Sequence, residues 1–485
     1  MTDRLSARAV LALVTDDFAE LPHPAGRHAP DGPLAWHGYD AARARAAART
    51  GEEESVVCGT GRVEGTRAVL IAFEFGFLGG SLGARTGDRL EAAYTYARER
   101  RLPVVPLIAT GGSRMQEGMV ALTQLQRVAR QSELTRRAGL AQIAVLRDPT
   151  TGGGWATLGA GADVILALPG AQVGFAGSRV RPPDADPTAY TAEAQVAAGA
   201  ADAVVPAGEL REVLGRWLRL LGAGAGAPGA EAAGAEAPGP DGSGPDGSGA
   251  DAPGRPHTPA PPPTPLGTTA LPRTGWDAVT AARDPRRPRA PQYLDAYFGE
   301  RAEISGDRCG GRDPEGMLCG FGTHEGRTVA YAAQTGAATR PAGYRTAARL
   351  IRLAGRLGIP VLTLVDTPGA ANDAAAERQG AGAAIAEVFG AVAAARTPVT
   401  TLVIGEGGSG GALALAAPGN TYATPDSYFS VIAPELAAQI LKREPAETQA
   451  TADQLRVRPQ DLAELGVVRD RTGDQLFPGT GDRHP

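Results

Sequence analysis

Short apolar runs alternate with longer alanine-rich stretches along most of the chain. Two of the runs, Val104–Thr110 (VVPLIAT) and Val361–Thr367 (VLTLVDT), are mostly apolar or β-branched, which is typical of strands buried on both faces of a parallel sheet. The alanine-rich stretches between such runs favour helices. The pattern predicts an α/β fold on both sides of the chain's centre.

The centre itself has no apolar pattern. Residues 222–265 contain no Ile, Val, Leu, Phe, Tyr or Trp and consist mainly of Gly, Ala, Pro, Asp, Glu and Ser, with PDGSG twice in succession. Such a segment cannot bury enough apolar surface to offset the entropy that ordering removes. We therefore expect an N-terminal extension over residues 1–57, a first domain over 58–221, a disordered linker over 222–273 and a second domain over 274–485.

The two halves resemble each other. LPVVPLIATGG (102–112) aligns with IPVLTLVDTPG (359–369), so that Pro103 matches Pro360. Further on, TTGGGWA (150–156) aligns with GGSGGAL (407–413) at the same offset of 257 residues, which pairs Gly154 with Gly411. Two segments in one register predict a tandem duplication of one fold. Chance similarity between glycine-rich loops is the alternative.

Composition limits the class of protein. The chain has 485 residues, a net charge of −5, 43% apolar and 21% charged residues, as in ordinary soluble domains, and nothing here favours a nucleic acid or an anionic membrane as partner. There is no run of about 18 apolar residues and no signal-peptide pattern, so we expect a cytoplasmic protein without a membrane span. The three cysteines form no CxxC pair, so we expect no zinc ribbon and no other metal site.

Each half repeats the same pair of candidate elements for catalysis. One is a buried strand that ends in a tight turn, TGGSR (110–114) and TPGA (367–370); the other is a glycine-rich turn into a stretch of small residues, TTGGGWAT (150–157) and GEGGSGGALAL (405–415). Glycine permits positive φ and close approach to a ligand, and the first N–H groups of a helix have no partner within it. Because an N–H from each element can converge on one oxygen, the duplication predicts two oxyanion holes.

Other chemistries are less favoured by the same residues. No lysine follows the glycines, which excludes a P-loop. GEGGSG (405–410) can be fitted to GxGxxG, but no acidic residue lies at a suitable strand end about twenty residues later. Five of the six histidines lie in Pro/Gly-rich or terminal segments and the sixth, His324, lies at a predicted hairpin, FGTHEGRT, so a Ser-His-Asp triad or a histidine metal site is not indicated. Glycines that serve only as packing turns remain an alternative.

Long, ordered motifs occur in both halves. Those of the first half are FEFGFLGGSLGARTGDRL (73–90), TGGSRMQEGMVAL (110–122) and DPTTGGGWATLGAGADVILALPGAQVGFAGSRV (148–180). Those of the second half are RPRAPQYL (287–294), ISGDR (304–308), AGYRTAARL (342–350), DTPGA (366–370), IGEGGSGGALAL (404–415) and YFSVIAPELAAQIL (428–441). In these motifs the first half resembles the β subunit, and the second half the α subunit, of the carboxyltransferase of bacterial acetyl-CoA carboxylase.

This resemblance implies two tandem crotonase-like (ββα-spiral) domains that form a component of a biotin-dependent acyl-CoA carboxylase. Such a component transfers a carboxyl group from carboxybiotin to the α-carbon of acetyl-CoA or a related short acyl-CoA, as in fatty acid biosynthesis. Its partners are a biotin carboxylase and a biotin carboxyl carrier protein, because this chain has no AMKM-like biotin-attachment motif. In the family the thioester and the biotin each use an oxyanion hole, and the site is commonly formed across a dimer interface, so the resemblance implies a homodimer or larger homo-oligomer.

The resemblance also assigns candidate residues to each ligand. Those for the thioester oxygen of acyl-CoA are Gly112, Ser113, Arg114, Gly153 and Gly154. Those for the ureido oxygen of biotin are Gly369, Ala370, Gly410, Gly411 and Ala412. Arg85 and Arg89 are candidates for the CoA phosphates, with a solvated helix face as the alternative. Ala414 lies where relatives tune acyl-chain size, and its small side chain leaves room for more than acetyl.

The chain departs from the family pattern in three further places. The usual ERGQ after DTPGA reads ERQG (377–380), Ser113 replaces the alanine of SGGAR, and PPDADPTAYTAEAQVAAG (182–199) replaces an aromatic, glutamate-rich stretch. We expect these changes near the ligand pockets. They leave two alternatives open: a subunit of a malonate or malonyl-CoA-type decarboxylase, which reuses this fold, and a non-catalytic carboxyltransferase paralogue.

Overall fold

The computed structural model describes residues 4–24, 29–222 and 258–469. The elements of the first half are α1 (Ala7–Val14), β1 (Ala19–Glu20), α2 (Tyr39–Thr50), β2 (Val56–Val63), β3 (Thr66–Phe73), α3 (Ala84–Arg100), β4 (Val104–Thr110), α4 (Gly118–Leu122), α5 (Gln124–Arg137), β5 (Ile143–Thr151), α6 (Gly152–Gly154), β6 (Val164–Ala167), β7 (Val173–Gly174), α7 (Ala192–Ala197), β8 (Ala203–Val204) and α8 (Leu210–Gly222).

The second half repeats much of this order. Its elements are α9 (Gly275–Arg283), α10 (Ala290–Tyr297), β9 (Glu300–Ile304), β10 (Met317–His324), β11 (Arg327–Gln334), α11 (Pro341–Leu357), β12 (Val361–Thr367), α12 (Ala374–Arg378), α13 (Ala381–Ala393), β13 (Val399–Gly408), α14 (Ser409–Leu413), β14 (Thr421–Ala423), β15 (Tyr428–Ser430), α15 (Pro434–Ile440), α16 (Thr448–Gln454) and α17 (Pro459–Glu464).

Each half is built on one mostly parallel sheet. The strand order is β1-β2-β3-β4-β5-β6-β8 in the first, with β7 beside β5, and β14-β13-β12-β11-β10-β9 in the second, with β15 beside β13. Each sheet contains one antiparallel hairpin, β2–β3 and β10–β11. Its turn residues, Glu64–Gly65 and Glu325–Gly326, all have positive φ, as a two-residue hairpin turn requires. The hairpin predicted at His324 is thereby confirmed.

The duplication predicted from the 257-residue offset is confirmed by the elements themselves. Helices α3 and α11 are both 17 residues long and strands β4 and β12 are both 7 residues long, and each pair starts at that offset. In both halves a hairpin, a long helix and a parallel strand follow one another. The fold is therefore the predicted α/β class, with two tandem domains of similar architecture.

Alternate residues of the central strands pack on opposite faces of the sheets. On β3, Val69, Ile71 and Phe73 join a core that is shared by both halves, whereas Ala68, Leu70 and Ala72 pack beneath α1 and α8 on the other face. In the second half, Ala330 and Ala332 of β11 join the shared core, whereas Val329, Tyr331 and Ala333 pack with α10. Each sheet is thus buried on both faces, as the continuous apolar runs predicted.

The N-terminal extension predicted over residues 1–57 does not stand apart from the first domain, because its described elements α1 and β1 pack against the first sheet. Helix α1 buries Ala7, Val10, Leu11 and Val14 against the first sheet. The N–H of Ala7 donates to Glu74 Oε2 at 2.8 Å, and β1 pairs with β2. The short helix carries four apolar residues on one face, which is enough to dock it on the sheet.

The linker predicted over 222–273 needs a similar correction at its end. Residues 223–257 lie outside the described part of the chain. From residue 258 the chain packs on the second sheet: Ala260 is buried, its carbonyl accepts from Thr400 Oγ1 at 2.8 Å, and the carbonyl of Pro261 accepts from Tyr297 Oη at 2.9 Å. This stretch is rich in proline, which loses little backbone entropy on ordering, so few apolar contacts suffice.

Helices α5 and α13 pack against each other and join the two halves. Among the described residues, none of the helices is both long enough and apolar enough to span a membrane.

Candidate active site

In the first half the two predicted loops lie side by side. Strands β4 and β5 run parallel with Thr110 opposite Thr150, so the turn after β4 and the start of α6 meet at one edge of the sheet. A methyl group placed on Gly152 would lie 3.2 Å from Gly112 Cα, and one placed on Gly112 would lie 4.0 Å from the nitrogen of Gly153. The structure therefore brings Gly112, Ser113 and Gly153 together, with Gly154 one residue further along the helix.

The second half repeats this arrangement. Thr367 at the end of β12 lies opposite Gly407 of β13. A methyl group on Gly408 would lie 2.6 Å from the nitrogen of Gly369, and one on Gly411 would lie 2.5 Å from the nitrogen of Ala370. These contacts bring Gly369, Ala370 and the start of α14 together, as the sequence predicted. They leave no space for a side chain at Gly411.

Both helices begin with a residue in the left-handed conformation. Gly152 has φ 65 and Ser409, at the equivalent position, has φ 56. A non-glycine residue in this region is uncommon and costs conformational energy. The same sharp strand-to-helix turn is therefore kept in both halves, although only the first has a glycine at the turn.

The backbone N–H groups that are free to bind a ligand at the two strand ends are not the glycine N–H groups. Gly112 N–H donates to Thr110 Oγ1 at 3.0 Å, and Gly369 N–H donates to Thr367 Oγ1 at 3.1 Å, so both are already engaged. Within residues 4–24, 29–222 and 258–469, the next N–H groups, those of Ser113 and Ala370, have no hydrogen-bond partner. The strand-end donors of the two candidate oxyanion holes are therefore Ser113 and Ala370, rather than the glycines before them.

Two side chains that the sequence analysis left without a role hold the second glycine helix. Tyr344 Oη donates to the carbonyl of Gly411 at 3.0 Å, and Gln334 Nε2 donates to the same carbonyl at 3.2 Å. Both side chains are buried. Tyr344 belongs to the AGYRTAARL motif, but only the fold shows that its side chain reaches the loop 67 residues away.

Arg114 was predicted to help hold the thioester oxygen, and the structure corrects this. Its guanidinium is fully buried and bonds Glu54 Oε2 at 3.2 Å, Tyr39 Oη at 3.1 Å and the carbonyl of Ser81 at 2.7 Å. Burial alone would raise the pKa of Glu54, but the charge of Arg114, its hydrogen bond and the N–H of Ser55 together outweigh burial and lower the pKa to about 2. Arg114 therefore anchors the loop from behind and has no free donor directed at a ligand.

The two arginines proposed for the CoA phosphates are in different environments. Arg89 is buried and donates to the carbonyl of Val56 at 3.1 Å, and burial lowers its pKa. It is therefore not accessible to a phosphate. Arg85 is half-buried in the first turn of α3 and forms no hydrogen bond or ion pair with the described residues. Since Leu82, just before this helix, pairs with Ser113, Arg85 lies near the first candidate hole and stays a candidate.

Ala412 and Ala414 are both buried in the shared core. The N–H of Ala414 donates to the carbonyl of Gly410 at 3.0 Å, so it continues the turn of α14. Its side chain packs inside the protein, and the role in acyl-chain size carried over from the family stays a prediction.

Within one chain the two candidate holes share a neighbour. A methyl group placed on Gly153 would lie 2.3 Å from Leu125 Cδ1, and one on Gly410 would lie 3.6 Å from the same atom. Leu125 lies in α5, the helix that packs against the second half. Residues from both halves therefore meet where the glycine helices begin. Among the described residues, no group of three or more His, Cys, Asp or Glu could hold a metal ion.

The chain is similar to known carboxyltransferases over most of its length. Residues 34–203 match the carboxyl transferase domain family, and residues 271–474 match the acetyl co-enzyme A carboxylase carboxyltransferase-like family. The acetyl-coenzyme A carboxylase carboxyl transferase subunits beta/alpha of Saccharopolyspora erythraea are 38% identical over 92% of this chain and 76% of the relative. The protein of the same name from Salinispora arenicola is 38% identical over 96% of this chain and 81% of the relative.

Solved structures are similar as well, among them the following one. The crystal structure of the P. aeruginosa geranyl-CoA carboxylase beta subunit has 22% sequence identity and a TM-score of 0.35, and the match covers 96% of this chain and 81% of that one.

Proposed function

As a member of the acetyl-CoA carboxylase carboxyl transferase beta/alpha family, this chain is an acyl-CoA carboxyltransferase, and we propose that it carboxylates the α-carbon of acetyl-CoA or a related short acyl-CoA. The observation that carries this proposal is the pair of N–H groups, on Ser113 and Ala370, that have no partner among the described residues and lie beside glycine helix starts. Two such holes suit a reaction between two carbonyl-containing ligands.

The first hole suits the thioester. The N–H of Ser113 and the first N–H groups of α6, near Gly153 and Gly154, can donate to the thioester oxygen. Negative charge develops on this oxygen when the α-carbon loses a proton, and fixed donors stabilise an enolate more than the neutral thioester. The absence of a Cβ on Gly112 lets the oxygen approach the backbone closely.

The second hole suits the ureido carbonyl of biotin. When bound, carboxybiotin supplies the activated carboxyl group for transfer. The N–H of Ala370 and the first N–H groups of α14, near Gly410 and Gly411, can donate to the ureido oxygen. Tyr344 and Gln334 hold the carbonyl of Gly411 and so fix the direction of this helix start. The donors are backbone groups held on both sides, so they need no reorganisation during transfer.

The partners, the assembly and the compartment belong to the same proposal. A biotin carboxylase and a biotinylated carrier protein would supply the carboxyl group in the cytoplasm, for fatty acid biosynthesis. We propose a homodimer or larger homo-oligomer in which the two kinds of domain form the complete site.

The test is a carboxylation assay with radiolabelled bicarbonate, ATP and a biotinylated carboxylase–carrier partner. Acetyl-, propionyl- and butyryl-CoA would be compared as acceptors. Acid-stable label in an acyl-CoA product is expected, and its distribution would identify the substrate. Release of CO₂ from malonyl-CoA without labelling in any mixture would instead establish a decarboxylase. Failure to bind CoA at all would indicate a non-catalytic paralogue.

Replacing Arg85 with alanine is expected to raise KM for the acyl-CoA about tenfold and to leave kcat within a factor of two, because a charge-assisted contact to a phosphate away from the reacting atoms stabilises ground state and transition state alike. Steady-state kinetics would measure this. Arg100, at the exposed end of the same helix, provides the matched control, and Arg100→Ala should change neither constant. An unchanged KM in Arg85→Ala would mean that the helix face is only solvated.

A further inference from the structure

Two stretches in which the chain departs from the family pattern meet across the junction between the halves. Tyr190 Oη, from the altered stretch 182–199, donates to the carbonyl of Asn372 at 2.7 Å. Asp186 of the same stretch forms an ion pair with Arg378 of the altered ERQG segment. Asn372 Nδ2 donates back to the carbonyl of Val180 at 3.0 Å. The two changes therefore form one contact region rather than two independent ones.

Glu377 lies at the centre of this region and is 1% exposed. Its Oε1 accepts from the N–H of Phe175 at 2.7 Å and from the N–H of Ala176 at 3.1 Å. Both donors belong to the other half of the chain. Its Oε2 is buried and has no hydrogen-bond partner among the described residues. One carboxylate oxygen thus fixes the backbone of the first half, while the other is unsatisfied.

The backbone that Glu377 fixes carries a side chain to the second candidate hole. A methyl group placed on Gly410 would lie 3.6 Å from Cζ of Phe175. The phenyl ring therefore lies beside Gly410 in the first turn of α14, near the N–H groups proposed for the ureido oxygen. A shift of the Phe175–Ala176 backbone would move this ring relative to the helix start.

The electrostatic surroundings of Glu377 differ from those of two buried carboxylates in the first half, Glu54 and Glu117. Glu54 and Glu117 both form ion pairs with Arg114, whereas Glu377 forms no ion pair with the described residues. The charged and titratable groups that face it are Arg181 and Tyr190 from the first half and Asp373 from its own segment. Burial raises the pKa of Glu377 to about 7, against the two N–H groups and Arg181, which lower it.

We propose that Glu377 is a positioning residue for the second hole: its ionised carboxylate holds Phe175 against the start of α14, and its protonation loosens that hold. The inference rests on the function proposed above, which assigns this hole to biotin. An ionised carboxylate accepts N–H hydrogen bonds more strongly than a neutral acid. Activity at the biotin side should therefore fall as the pH falls through about 7.

Stability should change with pH in the opposite direction. The pKa of Glu377 is raised from 4.5 in the unfolded chain to about 7 in the fold. Between these values the folded chain binds more protons than the unfolded one, so its contribution to stability falls as the pH rises from 4.5 to about 7. If Glu377 contributed only to stability, the activity of the protein would not fall over the same pH range in which its stability rises.

The first experiment follows transfer from malonyl-CoA to free biotin, with KM for each substrate measured from pH 5.5 to 8.5. Glu377→Gln carries a neutral oxygen that accepts N–H bonds more weakly and cannot titrate, so its activity should stay near that of the protonated wild type at every pH and should not change near pH 7. At pH 8.5, Glu377→Ala should raise KM for biotin about tenfold, with KM for malonyl-CoA unchanged, because the ring is no longer positioned. Glu387→Gln, a carboxyl paired with Arg352 on the next helix, is the control and should match the wild type.

The second experiment does not depend on activity. At pH 8, amide hydrogen exchange should show the N–H groups of Phe175 and Ala176 most protected in the wild type, less protected in Glu377→Gln, and exposed in Glu377→Ala. Between pH 4.5 and 7, the denaturation midpoint of Glu377→Gln relative to the wild type should rise with pH, because only the wild type loses the stabilising contribution of the protonated Glu377. Unchanged protection in Glu377→Ala, or the same activity loss near pH 7 in Glu377→Gln, would overturn the inference. Absence of any transfer by the wild type, with protection lost in Glu377→Ala, would overturn the proposed function instead.

Discussion

Gly411→Val is expected to lower kcat at least about a hundredfold, while KM for acyl-CoA stays within a few-fold of the wild type. A Cβ at this position would lie 2.5 Å from the nitrogen of Ala370 and 2.6 Å from Tyr344 Oη. The side chain would therefore occupy the space above the N–H that we assign to the ureido oxygen. Loss of one oxyanion donor costs on the order of a hundredfold or more in rate.

Steady-state kinetics and a CoA titration followed by thermal shift would measure the two parts of this prediction. Gly390 provides a matched control, because it lies within α13 and a Cβ there meets nothing within 4 Å. Gly390→Val should keep kcat close to that of the wild type. Normal turnover by Gly411→Val would show that this loop is a packing turn rather than an oxyanion hole.

Arg114→Met is expected to destabilise the first half by about 3–5 kcal/mol. Among the described residues, Arg114 is the only arginine that forms an ion pair with the buried carboxylate of Glu54, so the substitution leaves that charge uncompensated. For a domain of this size that corresponds to a fall of roughly 10 °C in the first unfolding midpoint. The deficit should shrink as the pH is lowered from 7.5 to 5. Without Arg114, burial raises the pKa of Glu54, so Glu54 takes up a proton as the pH falls and the uncompensated buried charge disappears.

Scanning calorimetry at several pH values would test this. The control is Arg216→Met, which removes an arginine paired with Glu212 on the exposed face of α8, where an ion pair contributes at most about 1 kcal/mol. Equal effects of the two substitutions would show that Arg114 does not anchor the loop. So would a deficit in Arg114→Met that is independent of pH.

Local pattern was sufficient to predict the α/β class and the duplication, although not the bounds of the first domain and of the linker. Buried parallel strands leave nearly continuous apolar runs, and the run ending at Thr110 and the run ending at Thr367 are both strands in the structure. The hairpin turn at Glu325–Gly326 depends on two residues with positive φ, and glycine marks such a turn in the sequence. The duplication could be predicted because the motifs of the two halves are separated by the same 257 residues, although many of the aligned residues differ.

The details of the site could not be predicted, because they depend on contacts between residues that are distant in sequence. Arg114 follows directly after the glycine loop, yet its role is decided by Glu54, 60 residues away. The engagement of Gly112 N–H depends on the rotamer of Thr110, which no motif specifies. Glu377 was noticed only as part of an altered motif, and its partners lie about 200 residues earlier in the chain.

The short segment that begins at residue 258 has a practical consequence for anyone who wishes to produce the two halves as separate polypeptides. Composition alone would suggest a cut near residue 273, but this would detach Ala260 and Pro261 from Thr400 and Tyr297. The separated second polypeptide would then expose part of the apolar layer over its sheet and would tend to aggregate. A cut before residue 258 keeps that layer covered, so a complementation system should be divided there.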